Sequence, residues 1–254
     1  MTSFRTLRRS VSRWAGVCFL VLGVGTVAAT PPAATLPAAT SAFLARFVDA
    51  AGNVDYAALK RNPGELQGLL KQVAAFDAAA AKPADREAFY LNAYNLLVIG
   101  KIVERYPLES VEKVPGFFDK SLVSVAGEKL TLNDLEAKKL RQPYADPRVH
   151  FALVCGARGC PRLSRAAYVG SQLDAQLTTQ ATKVLQDPAF VRIDAKNRKV
   201  LLSQVFNWYQ GDFQATGKTN VAYVNQFREG KTIPATYAVD YYPYDWALNG
   251  QKKP

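Results

Sequence analysis

The residues with the clearest chemical potential lie together between Asp146 and Pro161, in the segment DPRVHFALVCGARGCP. This segment holds His150, the one histidine of the chain, and both cysteines outside the extreme N-terminus, Cys155 and Cys160. An imidazole and a thiol are the groups from which a Cys–His base and nucleophile are built. Any acid–base or thiol chemistry is therefore expected here.

The spacing of these residues limits which of them can react together. The apolar run 149–155, bounded by Asp-Pro and by glycine, predicts a buried strand with a functional loop at its end. On a regular strand His150 and Cys155 would lie on opposite faces and ~16 Å apart, at about 3.3 Å per residue. Cys160 is the better partner, since the glycine loop can fold back and Pro161 can open a helix whose N-terminus lowers a thiol pKa.

The two cysteines also permit other states. Five residues apart across a glycine-containing turn, they can close a small disulfide in an oxidising compartment. Free thiols with one of them reactive, or two inert buried thiols, are the alternatives. A zinc site would need a fourth ligand that the sequence does not define, so neither a metal nor a cofactor is predicted.

Further polar residues are candidates for the surroundings of the histidine. Asn92 and Asn95 lie on one face of a long apolar helix, where buried amides need hydrogen-bonding partners. They either line the site or hold a neighbouring loop. Glu136, on a short helix, is the candidate carboxylate for orienting His150, and a carboxylate and amides around a lone imidazole favour a functional role over a core histidine.

The segment 203–213 predicts a short helix that ends near Tyr209 and Asp212, and these two residues are added to the asparagines as candidate ligand-binding residues. The aromatic side chains of the C-terminal part are interpreted as core and rim residues rather than as a ligand platform. They are Trp208, Tyr209, Tyr241, Tyr242 and Trp246.

The N-terminus has the composition of a secretory signal peptide. Four arginines precede the uncharged run 15–29, whose apolar core of about a dozen residues is shorter than the ~20 that span a bilayer. Cleavage near Ala29 would remove Cys18 and leave an exported protein, periplasmic or extracellular, without a stable membrane span. The net charge of +11 is dispersed, which argues against nucleic acid as a partner.

The elements that must position the site follow from hydrophobic patterning. Residues 30–40, rich in Pro and Ala, predict a disordered spacer before a single domain at 41–250. The longest helix, about 85–106, is apolar nearly all round and is expected to be central and buried. Hairpins are predicted at 123–132 and 191–202, with a terminal strand from 236. Helices first and strands later indicate an α+β fold with a mostly antiparallel sheet.

With these segments placed, the chain resembles the domain of unknown function 547 family over about residues 54–249. The blocks that carry the resemblance are AFYLNAYN (88–95), LNDLEAKKLR (132–141), DPRVHFALVCGARGCPRL (146–163), and SQVFNWYQGDF with YYPYDWALN. The chain departs from the family pattern at Ala137, where histidine is common, and at Gly159, where serine is common. A catalytic role for that histidine in relatives would argue against activity here.

A weaker similarity is to papain-like or transglutaminase-like folds. It implies a central helix packed on an antiparallel sheet whose first strand supplies the histidine, here His150. The helix position that would carry the nucleophilic cysteine falls near 92–95, where this chain has no cysteine.

Two functions are therefore expected. One is a non-catalytic envelope module that binds a peptide or glycan near the polar cluster. The other is a cysteine-dependent amide hydrolase or acyltransferase, or a thiol-active enzyme, with Cys155 or Cys160 as the thiol and His150 as the base. Glu136 or Asn92 would then orient the imidazole.

Overall fold

The computed structural model describes residues 1, 2 and 35–251. The expected signal peptide and the first part of the spacer lie outside the described residues. Helix α1, Leu36–Phe47, begins five residues before the expected domain start, with Pro37 in its first turn and Phe43 and Leu44 buried. A proline in the first turn loses no helical hydrogen bond, so Pro37 is compatible with this helix. Because residues 36–40 are helical, the prediction of a disordered spacer is wrong for them.

The first core is built around one long helix. Helix α4, Pro83–Arg105, is buried at every residue from Ala88 to Val103, which confirms the prediction of a central buried helix. Helices α1, α2 (Tyr56–Arg61) and α3 (Gly64–Ala75) pack with it. Within residues 35–251 no helix combines the length and the apolar character needed to cross a membrane.

The strands form two small sheets. Strands β1 (Val123–Val125) and β2 (Glu128–Leu130) make the predicted first hairpin. Strands β3 (Val191–Asp194) and β4 (Lys199–Leu202) make the second, and β5 (Ala238–Tyr241) joins β4 in parallel. The mixture of helices with small sheets is consistent with an α+β fold.

The larger sheet does not pack as expected. Buried residues of β3 and β4 belong to a second core with Phe151, Phe206 and Phe213, whereas α4 belongs to the first core. The central helix is therefore not packed on the three-stranded sheet. Residues 149–155, which were expected to form the first strand of that sheet, do not form a strand and so do not link the sheet to the central helix.

Residues Val149–Ala152 form a short helix, α7, and the predicted strand is wrong. Asp146 starts the turn by accepting from the Arg148 N–H at 2.9 Å, and the Leu153 N–H donates to the Val149 carbonyl at 3.0 Å. All four α7 residues are buried. A short apolar run that is buried on every side has no periodicity to separate strand from helix.

The remaining helices connect these parts. Helix α5, Leu132–Glu136, continues through a π-helical turn, Ala137–Arg141, into α6, Gln142–Tyr144. Helix α8 spans Leu173–Gln186, and α9, Val205–Trp208, is followed directly by α10, Gln210–Gln214, and then by α11, Asn220–Asn225. The π-helical turn, a feature frequent at functional sites, brings Arg141 toward α10.

Candidate functional site

His150 is held by a carboxylate and an aromatic ring from the distant α9–α10 segment. Its Nε2 lies 2.8 Å from Asp212 Oδ2, and its ring stacks on Tyr209 with centroids 3.9 Å apart. The His150 side chain is only 2% exposed. Asp212, rather than Glu136 or Asn92, therefore orients the imidazole.

Asp212 also binds Arg141 through both of its oxygens. The Arg141 Nε donates at 2.6 Å and Nη2 at 3.0 Å, and the guanidinium lies 4.7 Å from the centre of the Tyr209 ring. The hydrogen bonds from His150 and then from Arg141 hold the pKa of Asp212 well below its ordinary range. Asp212 is thus ionised at neutral pH and anchors the imidazole and the guanidinium together.

Glu136 lies at the C-terminal end of α5, buried beside two tyrosines. Burial, followed by the charge of Glu136, raises the pKa of both Tyr94 and Tyr209. Both phenols therefore remain protonated at neutral pH and can donate hydrogen bonds. The carboxylate faces the same cavity as His150.

A cavity of about 260 Å³ is lined by five of the eight predicted site residues, and Asn92, Asn95 and Asp212 do not line it. His150, Glu136, Cys155 and Cys160 all line it, with Glu136 coming from a different segment of the chain than the other three. The rest of the wall is mainly aromatic: Tyr94, Phe118, Trp208, Tyr209, Tyr244 and Trp246. The volume is slightly below the ~300–1,000 Å³ of typical small-molecule sites, which suits a small group rather than a long segment.

The two cysteines meet at the cavity wall. Their sulfur atoms are in contact, and their Cα atoms are 6.4 Å apart, within the ~4.4–6.8 Å usual for disulfides. The Tyr244 hydroxyl lies 3.3 Å from Cys155 Sγ and 3.1 Å from Cys160 Sγ. A Cβ on Gly159 would come within 2.9 Å of the Tyr244 ring, so glycine at this position permits the ring to approach the sulfurs.

The side chains of Asn92 and Asn95 hydrogen-bond to backbone groups of neighbouring segments. Asn95 donates to the Ala152 carbonyl at 3.0 Å and accepts from the Val154 N–H at 2.9 Å. Asn92 binds the N–H and the carbonyl of Tyr168, each at 2.8 Å. Neither lines the His150 cavity. These contacts are those of the loop-holding alternative, and the ligand-binding role of the two asparagines stays a prediction.

Several residues of the site were missed by sequence reasoning. Arg141 was one of three closely spaced cations, with no signal separating it from Lys138 and Lys139. Trp208 and Trp246 were interpreted as core and rim residues, yet both line the cavity, and Trp208 is 47% exposed. Their only sequence signal was their place in segments already chosen for the family resemblance.

The fold and site define a mixed helix-and-strand protein with a largely aromatic cavity whose wall includes a histidine held by a carboxylate. Residues 79–185 match the model of the family described as Protein of unknown function, DUF547. The matched residues include α4, Glu136, Arg141, His150, Cys155 and Cys160, and the resemblance is confirmed over this part of the chain.

Asp212 and the cavity aromatics from Trp208 onward lie beyond the matched residues. Comparison with curated proteins and with solved structures finds no match for the chain. The similarity to papain-like or transglutaminase-like folds is therefore not confirmed by a structural relative.

Proposed function

We propose that the His150 cavity is a binding site for a single unit of a cell-envelope glycan or peptide. The observation that carries this proposal is the group of stacked aromatic side chains at the cavity beside a buried carboxylate. The proposal includes export to the periplasm or the outside of the cell, for which the N-terminal sequence is the support.

The aromatic group supplies flat apolar faces. The rings of Trp208 and Trp246 are stacked with centroids 5.7 Å apart, and Tyr244 lies 4.8 Å from each of them. A large apolar side chain that is 47% exposed, as Trp208 is, favours an interaction site over simple packing. Such faces suit the C–H face of a sugar ring or the stem of an amino-acid side chain.

Polar groups around these faces would fix the orientation of a ligand. The Glu136 carboxylate would accept hydrogen bonds from ligand hydroxyls or amines, and the phenols of Tyr94 and Tyr209, which hydrogen-bond to Glu136, would hold that carboxylate in position. An apolar cavity with a few convergent polar groups is the usual composition of a small-ligand site. This combination supports specific binding of a polar unit that also has one apolar face.

Full-length protein should bind soluble envelope-derived oligosaccharides or short peptides, with a change in tryptophan fluorescence. Trp208→Ala and Glu136→Gln should each weaken binding by about tenfold or more, since each removes a central contact. Leu122→Ala is the matched control, because Leu122 is also exposed and lies outside the cavity. Unchanged binding by both cavity variants would refute the proposal.

A second candidate function is a cysteine-dependent hydrolase or acyltransferase. His150 and both cysteines line the same cavity, and Asp212 orients the imidazole, which favours this candidate. Nucleophilic attack requires a free thiolate, however, and the contact between the two sulfurs supports a disulfide instead. We therefore propose binding as the function of the oxidised protein and place catalysis only in the reduced form.

Thiol titration separates these states. In a denatured Cys18→Ser variant, which retains only the two cavity cysteines, we expect no reactive thiol before reduction and two after it. That result would support the Cys155–Cys160 disulfide and argue against nucleophilic catalysis by either cysteine. Two thiols without prior reduction would contradict the disulfide, and the pH dependence of native-state alkylation would then identify the activated cysteine.

A further inference from the structure

A second cavity, of about 370 Å³, has a different chemical character from the first. Its wall combines the loop 157–162, the C-terminal half of α8, the start of β3 and residues 242–249. Aromatic groups are few, and four cationic side chains face two carboxylates: Arg158, Arg162, Lys183 and Arg192 against Asp187 and Asp245.

Four cations against two carboxylates leave this cavity with a formal net charge of +2. Arg162 is paired with Asp187 at 3.0 Å, and Asp245 accepts from the Ala247 N–H at 3.0 Å. Among residues 35–251, Arg158, Lys183 and Arg192 have no carboxylate within ion-pair distance. Like charges gathered around one cavity repel each other, so an anion bound between them would be stabilised.

The cationic groups are also partly fixed in place. The Arg192 guanidinium lies 3.7 Å from the centre of the Tyr242 ring, and its Nε donates to the Ala189 carbonyl at 3.3 Å. The loop that carries Arg158 is held by two backbone bonds of 2.8 Å, from Arg158 to Ala247 and from Gly159 to Asp245. A guanidinium held in this way loses less freedom when it binds a ligand.

We infer that this second cavity binds a phosphate group. A guanidinium with free N–H groups recognises phosphate oxygens through paired, charge-assisted hydrogen bonds, and the neighbouring amine adds a point charge. The phosphate is either free in solution or an ester on a larger envelope molecule. This inference does not depend on the function proposed for the His150 cavity, because the two cavities share only Cys160 and Pro161.

Calorimetric titration of the full-length protein at low ionic strength tests the inference with inorganic phosphate and with glycerol phosphate. We expect saturable binding that weakens with added salt. The double variant Arg158→Gln/Arg192→Gln should lose about tenfold or more in affinity, and Lys183→Gln should lose less. Equal binding of the two probes indicates recognition of the phosphate alone, and tighter binding of the ester indicates a larger ligand.

The control is Lys71→Gln/Lys120→Gln, which removes the same charge from exposed positions outside both cavities. An equal loss in this control would show nonspecific attraction and overturn the inference, as would the absence of saturable binding of both probes. Trp208→Ala should bind phosphate normally, so failure at one cavity is distinguishable from failure at the other. If the arginine double variant does not fold, the inference is tested by Lys183→Gln alone, and unchanged phosphate affinity in that variant would overturn it.

Discussion

The variant Asp212→Asn should have a free energy of unfolding lower by about 2–4 kcal/mol at neutral pH. The change keeps the shape of the side chain but removes the charge that binds His150 and both donors of Arg141. Because the Asp212 side chain is 29% exposed, the Arg141 charge is partly solvated after the change, and we expect less than the full loss of a buried pair. Urea unfolding of both proteins measures the difference.

The pH dependence of this difference has a defined sign. The folded-state pKa of Asp212 is lowered, so its contribution to stability is present above the ordinary carboxyl pKa of about 4. It is lost as the pH falls below that value toward the folded-state pKa. The gap between wild type and Asp212→Asn should therefore narrow on acidification.

Asp240→Asn is the matched control for this prediction. Asp240 pairs with Lys199 at 2.7 Å, but its side chain is 54% exposed, and we expect a much smaller change in the free energy of unfolding than for Asp212→Asn. An equal loss of unfolding free energy in the two variants would show that Asp212 contributes no more to stability than an exposed ion-paired carboxylate. A gap that does not change with pH would assign the effect to shape rather than charge.

The variant Asn95→Ala should also lower the free energy of unfolding by about 2–4 kcal/mol. Its amide satisfies two backbone groups of the buried 152–154 segment, and alanine leaves the Val154 N–H and the Ala152 carbonyl without that partner. Thermal and urea unfolding measure the loss. The effect on the cavity is indirect, because the same segment leads into Cys155.

Asn207→Ala controls for the removal of an asparagine side chain. Asn207 makes one exposed hydrogen bond, to Gln204 at 3.1 Å, and its replacement should change stability by less than about 0.5 kcal/mol. If Asn95→Ala falls within the same range, the 152–154 backbone is satisfied in some other way, and the positioning role of Asn95 is refuted.

The sequence was sufficient to predict those elements whose structure is set by a regular local pattern. Helix α4 was predictable because its apolar residues extend over several turns, and both hairpins had turn residues between alternating strands. His150 and the two cysteines were recognised as neighbours because they are close in the chain. Helix α7 was not predictable, since four buried residues contain about one turn and no pattern.

The partner of His150 shows a different limit. Glu136 and Asp212 are both carboxylates on short helices, and only tertiary packing decides which one reaches the imidazole. Asp212 lies 62 positions after His150 in the chain. It reaches the imidazole because α10 packs with α7 in the second core. No local pattern contains that information, although both residues were among the candidates that the sequence offered.

The turn at Cys160 and Pro161 lines both cavities, one aromatic and one basic. A ligand that displaces this turn in one cavity necessarily reshapes the wall of the other. Thermodynamic linkage then requires that each ligand alter the affinity of the other by the same factor. Because the Cys155–Cys160 sulfur pair lies at this turn, the coupling between the two cavities would depend on whether the two sulfurs are oxidised or reduced.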